Sequence, residues 1–124
     1  MAVGPLAQVH ISVTDIERSV QFYRDVLGVQ HLFTVPGQPM AFLASGDVRL
    51  YLGVPVAEQF RSHCVNYFRV EDIDAEVARL RGLGLTVGDP EVANRDASGE
   101  LWLADLTDPD GHYVILMQER PPTT

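Results

Sequence analysis

The sequence is short of several things, and each shortage excludes something. It has one cysteine, Cys64, so no disulfide can close within the chain and no Cys-x-x-Cys pair can hold zinc or run redox chemistry. It is short of positive charge: 9 basic residues stand against 17 acidic ones, a net charge of −8. Nucleic acid and anionic membrane surfaces both reward clustered basic side chains, so neither is expected as a partner. No apolar run approaches the roughly 20 residues of a membrane-spanning helix, and the first residues lack the basic-then-apolar shape of a secretory signal. These shortages predict a cytoplasmic protein. What is present is ordinary: 124 residues, 46% hydrophobic and 21% charged, make one globular domain with enough chain for a core.

The strongest local signal lies near the end. Asp108-Pro109-Asp110-Gly111 combines a fixed φ at Pro, side chains that can bond the nearby backbone, and a Gly that accepts positive φ. Strand-like runs flank it at residues 101–107 and 113–118, which predicts a β-hairpin with a longer loop.

From the start, residues 6–13 alternate, with Val9, Ile11 and Val13 to one side and Gln8, His10 and Ser12 to the other. Asp15 is a suitable N-cap for a helix over residues 16–27, whose stripe is Ile16, Val20, Tyr23 and Leu27 and which Gly28 ends. Strands follow at 30–35, 40–44 and 48–54, giving β-α-β-β-β. A polar linker covers residues 55–64, and then the pattern restarts. Residues 65–70 form a strand, and Asp72, Ile73, Val77 and Leu80 each lie 57 positions after Asp15, Ile16, Val20 and Tyr23. Gly84 follows Gly28 by 56, so the second copy has lost one residue. A further strand is expected at 86–90, then a polar loop through Glu100, then the hairpin. Two copies of this period do not make a solenoid; they make two fused β-α-β-β-β modules, residues 6–54 and 65–118, in a single α+β domain.

The segments Val9–Val29, Asn66–Leu85 and Asp108–Met117 carry a resemblance. Asp15, Ser19, Phe22 and Tyr23 followed by Leu27-Gly28 form a pattern similar to that of the vicinal oxygen chelate superfamily, which includes glyoxalase I, bleomycin-resistance proteins and extradiol dioxygenases. The resemblance spans nearly the whole chain. It implies two modules forming a curved mixed sheet with helices outside, a ligand cleft inside, and usually a homodimer. It specifies fold far better than chemistry, because one fold hosts many activities.

With the helices on one face, alternation assigns the cleft-facing side chains: Gln8 and His10 on the first strand, Phe42 on the third, Arg49 and Tyr51 on the fourth. In the second module they are Tyr67 and Arg69, Leu103 and Asp105, and Ile115 and Met117. This is an aromatic and apolar wall with a few polar anchors, the usual makeup of a small-molecule pocket. Arg49 and Arg69 are the expected holders of an anionic group.

Metal-dependent relatives take one ligand from the first strand of each module and carboxylates from the last strands. The matching positions here are Gln8, Val65 and Ile115, with Arg49 and Tyr51 at the end of module one. An amide oxygen is a weaker donor than imidazole or carboxylate, and Val and Ile donate nothing. No metal and no cofactor are therefore expected; the lesser alternative is a relocated divalent-ion site built from His10, His63 and Asp105. His112 is expected to face outward or pair locally, and His31 and Cys64 carry no signal. The favoured function is a metal-independent protein that sequesters an aromatic or planar small molecule. The alternatives are a metal-dependent lyase, isomerase or dioxygenase-like enzyme, or a metal-free enzyme with His10 as general base.

Overall fold

A computed structural model describes residues 2–122. The chain divides into two compact units, one running up to Cys64 and including Pro109–Gly111, the other comprising Val65–Asp108 and the residues from His112 onward. Each unit builds its own four-stranded mixed sheet. In the first, β1 (Gln8–Ser12), α1 (Ile16–Val20), β2 (Gln30–Thr34), β3 (Met40–Ser45) and β4 (Val48–Gly53) follow in chain order. In the second, β5 (Val65–Arg69), α2 (Ile73–Gly82), β6 (Glu91–Asp96), β7 (Gly99–Thr107) and β8 (Tyr113–Arg120) repeat that order. The sheet orders are β1-β4-β3-β2 and β5-β8-β7-β6, with the first pair parallel and the others antiparallel in each. Among the described residues no helix is long and apolar enough to cross a membrane.

The matched caps and stops do what their chemistry predicts. The Asp15 carboxylate accepts from the Arg18 N–H at 3.2 Å, and that of Asp72 from the Ala75 N–H at 3.1 Å. Gly28 and Gly84 sit at φ 80° and 90°, where a side chain would be strained. The stripe of α2, Ile73, Val77 and Leu80, is buried, worth about 1.5–3 kcal/mol for each side chain. In the first unit Val20 and Tyr23 are buried against the same sheet face as Ile11, Leu43, Leu50 and Leu52.

The two helical segments differ in one respect. After Val20 the first continues as a π-helix, Gln21–Val26, in which the Leu27 N–H reaches the Phe22 carbonyl at 3.0 Å. A π turn holds one residue more than an α turn. It absorbs the single residue by which the first Asp-to-Gly helical stretch exceeds the second.

Residues 86–90 do not form the expected strand. The strand is β6, in the stretch expected to be loop. It is an edge strand, mostly exposed, and its register with β7 shifts between Val92 and Asn94. Polar residues and a bulge remove the period-two signal from such a strand. The Asp96 carboxylate closes the turn into β7 by accepting from the Ser98 N–H at 2.8 Å. The segment after β4, read as a polar linker, contains a 3₁₀ turn at Glu58–Phe60.

The Asp108–Gly111 turn is built as its sequence suggests, with added duties. Buried Asp108 accepts from the His112 N–H at 2.9 Å, and Gly111 has φ 85°. His112 is 3% exposed, so of the two expected arrangements it pairs locally and does not face outward. Asp110 belongs to the first unit: it accepts from the Thr14 N–H at 3.1 Å, the Thr14 hydroxyl at 2.7 Å and the Ser19 hydroxyl at 3.4 Å.

Candidate functional site

The parity argument for the first sheet holds. Leu50 and Leu52 of β4 are buried toward α1, and Arg49 and Tyr51 point to the opposite face. Parallel pairing sets Gln8 beside Arg49 and His10 beside Tyr51; antiparallel pairing sets Tyr51 opposite Phe42, and Phe42 opposite Phe33. One aromatic row therefore crosses all four strands. His10 meets Tyr51 edge-on at 4.7 Å, Tyr51 and Phe42 are 4.9 Å apart, and Phe42 and Phe33 are 5.0 Å apart. Phe33, 47% exposed, extends the row beyond the expected residues. Its paired strand position was open to the same alternation argument.

Arg49 is the distinctive member of this face. The basic side chains of this sequence are nine arginines and no lysine. Eight of them, Arg18, Arg24, Arg61, Arg69, Arg79, Arg81, Arg95 and Arg120, have a carboxylate within ion-pair distance. Arg49 has none among the described residues, and its guanidinium lies 5.5 Å from the centroid of Phe42. This cation rests on an aromatic face with its N–H donors left over.

His10 is half-buried, and that burial pushes its pKa below the ordinary imidazole value, favouring the neutral ring. Gly53 makes the room for this arrangement. A Cβ at Gly53 would stand 2.5 Å from Cε1 of Tyr51 and 3.0 Å from Nε2 of His10, so the rings occupy space that only glycine leaves open.

At the end of the row a pocket of about 240 Å³ is lined by His10 and Tyr51 from the sheet and by Val54, Pro55, Val56 and Phe60 from the segment after β4. These last four were not anticipated. The signal was there: Val54 ends the expected strand 48–54, and apolar Val56 and Phe60 interrupt the stretch read as a polar linker. Ser12, assigned to the ligand face by alternation, is buried under that segment. It donates to the Phe60 carbonyl at 3.2 Å and accepts from the Ser62 N–H at 2.8 Å.

The remaining expected residues share the corresponding face of the second sheet. Tyr67, Ile115 and Asp105 form one row, and Arg69, Met117 and Leu103 the next. Arg69 is committed to Glu119 at 3.0 Å. A pocket of about 360 Å³ takes in Leu103, Asp105 and Ile115 together with Gly88, Asp89 and Glu91. Its polar groups are carboxylates, which repel an anion. The Asp105 carboxylate lies close against Gly88, whose N–H donates to the Asp105 carbonyl at 2.9 Å.

The positions that match the ligands of metal-dependent relatives carry weak donors or none. Gln8 pairs with the row of Arg49, Val65 and Ile115 are apolar, and among the described residues no three His, Cys, Asp or Glu side chains gather in a metal-holding group. Nε2 of His63 is 3.0 Å from the Gly111 carbonyl. His31 bonds the Thr34 hydroxyl at 2.9 Å, and Cys64 is half-buried.

Comparison with known proteins agrees with the architecture. The family model of the Glyoxalase/Bleomycin resistance protein/Dioxygenase superfamily matches residues 5–116. Among solved structures, TnmS3, an antibiotic binding protein from Streptomyces sp. CB03234, is 28% identical. It superposes with a TM-score of 0.79 over 97% of this chain and 99% of its own. A lactoylglutathione lyase from Agrobacterium tumefaciens shares the fold at 20% identity and TM-score 0.77, covering 94% and 95% of the two chains. A superfamily member from Sphaerobacter thermophilus does so at 22% and 0.75, covering 94% and 98%.

Proposed function

Because the chain belongs to the Glyoxalase/Bleomycin resistance protein/Dioxygenase superfamily, we propose that it is a small-molecule-binding protein that sequesters an aromatic or planar ligand without a metal. The ligand face is the aromatic row of the first sheet. The observation that carries this reading is Arg49, which among the described residues has no carboxylate within ion-pair distance in a strongly acidic chain and is poised over Phe42. Flat π-surface beside uncommitted donors suits an aromatic molecule with an anionic or acceptor group. The likeness to an antibiotic binding protein supports the same class of function. Apolar groups at Val65 and Ile115 support metal independence. The proposal includes a cytoplasmic setting, on composition alone, and a homodimer, in which another copy covers the strand edges of an open sheet. Light scattering at micromolar concentration checks the latter; a monomer mass rejects it.

Calorimetric titration with a panel of aromatic acids and antibiotics tests the main reading. Saturable binding at one ligand per chain is expected. Indifference to the whole panel overturns it.

A second reading has one observation in its favour. Burial lowers the His10 pKa and so favours the neutral ring, and a neutral imidazole beside a tyrosine can accept a proton from a bound substrate. On that reading a ligand found by titration is chemically altered over time, and His10→Gln stops the change without abolishing binding.

A further inference from the structure

Resting on the binding reading above, we infer that the pocket beyond Tyr51 seats a fused two-ring aromatic group whose anionic substituent reaches Arg49, and that Phe60 sets the size selectivity of this site.

Volume sets the scale of the occupant. An apolar cavity of about 150 Å³ accepts one benzene ring, and a pocket of about 240 Å³ has room for a second fused ring. The lining chooses its character. Val54, Pro55, Val56 and Phe60 are apolar, and the polar atoms come from His10 and Tyr51. Val56 is 86% and Phe60 55% exposed, large apolar groups left in water beside a concavity. A flat ring entering there covers them.

The wall is anchored. The Ser12 hydroxyl holds the Phe60 carbonyl, and the Ser62 N–H holds Ser12, so the backbone at Phe60 is tied to a buried residue of β1 while its ring stays at the mouth. The charge lies on the other side of Tyr51. Arg49 precedes Tyr51 by two residues on the same strand face, about 6.5–7 Å, with its guanidinium over Phe42. A ligand seated in the pocket and lying across the Tyr51 ring would carry its anionic substituent toward that cation.

Isothermal titration of the wild type, Phe60→Ala and Arg49→Ala with benzoate, 2-naphthoate and 2-naphthol separates the parts. The wild type should bind 2-naphthoate about tenfold or more tighter than benzoate. Phe60→Ala should weaken 2-naphthoate about three- to tenfold, the worth of one aromatic contact, and leave benzoate nearly unchanged. Arg49→Ala should weaken 2-naphthoate and spare 2-naphthol. Because Phe60 is exposed, its loss leaves the core intact, and Phe60→Trp gives a second readout: its emission should shift with 2-naphthoate and not with benzoate. If Phe60→Ala leaves the ratio of the two acids unchanged while Arg49→Ala still discriminates charge, the pocket assignment is wrong and the binding function stands. If the wild type saturates with none of the three, this inference is overturned, and the panel of acids and antibiotics then decides the broader reading.

Discussion

Arg49 lies over the ring of Phe42, its guanidinium carbon 5.5 Å from the ring centroid, on the sheet face that α1 leaves uncovered. Such a contact is worth about 0.5–1 kcal/mol at an exposed site, too little to consume the hydrogen-bonding capacity of a guanidinium. It orients the group and leaves its donors available. That arrangement distinguishes Arg49 from Arg69, which occupies the comparable face of the second sheet but is engaged by Glu119.

The two arginines should therefore respond differently to removal. Arg49→Ala is expected to weaken an anionic aromatic ligand by about 1.5–3 kcal/mol, the range for a charged hydrogen bond. Arg69→Ala breaks an exposed ion pair and should change affinity or stability by less than about 1 kcal/mol. Calorimetry on both variants checks the contrast; equal losses would contradict it.

Gly53→Ala tests the space beneath the rings. The added methyl meets Tyr51 and His10, so the Tyr51 ring must swing away and its edge-on contact with His10 is lost. Ligand affinity should fall by about 0.5–1.5 kcal/mol, the value of an aromatic pair. The His10 ring proton resonances should shift because the Tyr51 ring current has moved. Unchanged resonances and unchanged affinity would show that the ring position is irrelevant.

Asp110 is the stability prediction. Its carboxylate, 9% exposed, accepts from Thr14 and Ser19 and pairs with Arg18 at 3.6 Å. Asp110→Ala leaves those donors unsatisfied at the start of α1 and should cost about 2–3 kcal/mol in chemical denaturation. A loss below about 0.5 kcal/mol would reduce the cluster to a surface contact.

His10 gives a pH dependence of known sign. Its folded pKa lies below the ordinary value of 6.5 because burial disfavours the charged ring. The folded protein then binds fewer protons than the unfolded chain, so the stability linked to this group is full above about pH 6.5. It is lost as pH falls through the lowered folded value. Denaturation of wild type and His10→Gln from pH 7.5 to 4.5 should show the wild type losing more stability below pH 6.5. A parallel pair of curves would rule this out.

Metal binding is the last test. Titration of the purified wild type with nickel, cobalt, zinc and manganese should show no saturable site. Val65→His combined with Ile115→Glu puts two donors on one face of neighbouring strands β5 and β8 and should create measurable affinity. Stoichiometric tight binding by the wild type would end the metal-independent proposal.

The sequence by itself determined the two modules, because capping, glycine stops and hydrophobic period are local properties of the backbone. Asp15 and Asp72 cap, Gly28 and Gly84 stop, and Leu50 and Leu52 face the helix because strand side chains alternate. The same alternation placed Arg49 and Tyr51 on the face opposite α1. It gave no signal at β6, where an exposed edge with a bulge carries no period, and none that a segment some 48 residues away covers Ser12 on that face. Only the tertiary structure decided which cations were already engaged. Arg69 finds Glu119, and Arg120 finds Asp74, across 50 and 46 residues of chain, and no local pattern encodes such a meeting. Arg49 and Arg69 look alike in the sequence; their neighbours in space make one an ion pair and leave the other, among the described residues, without a carboxylate.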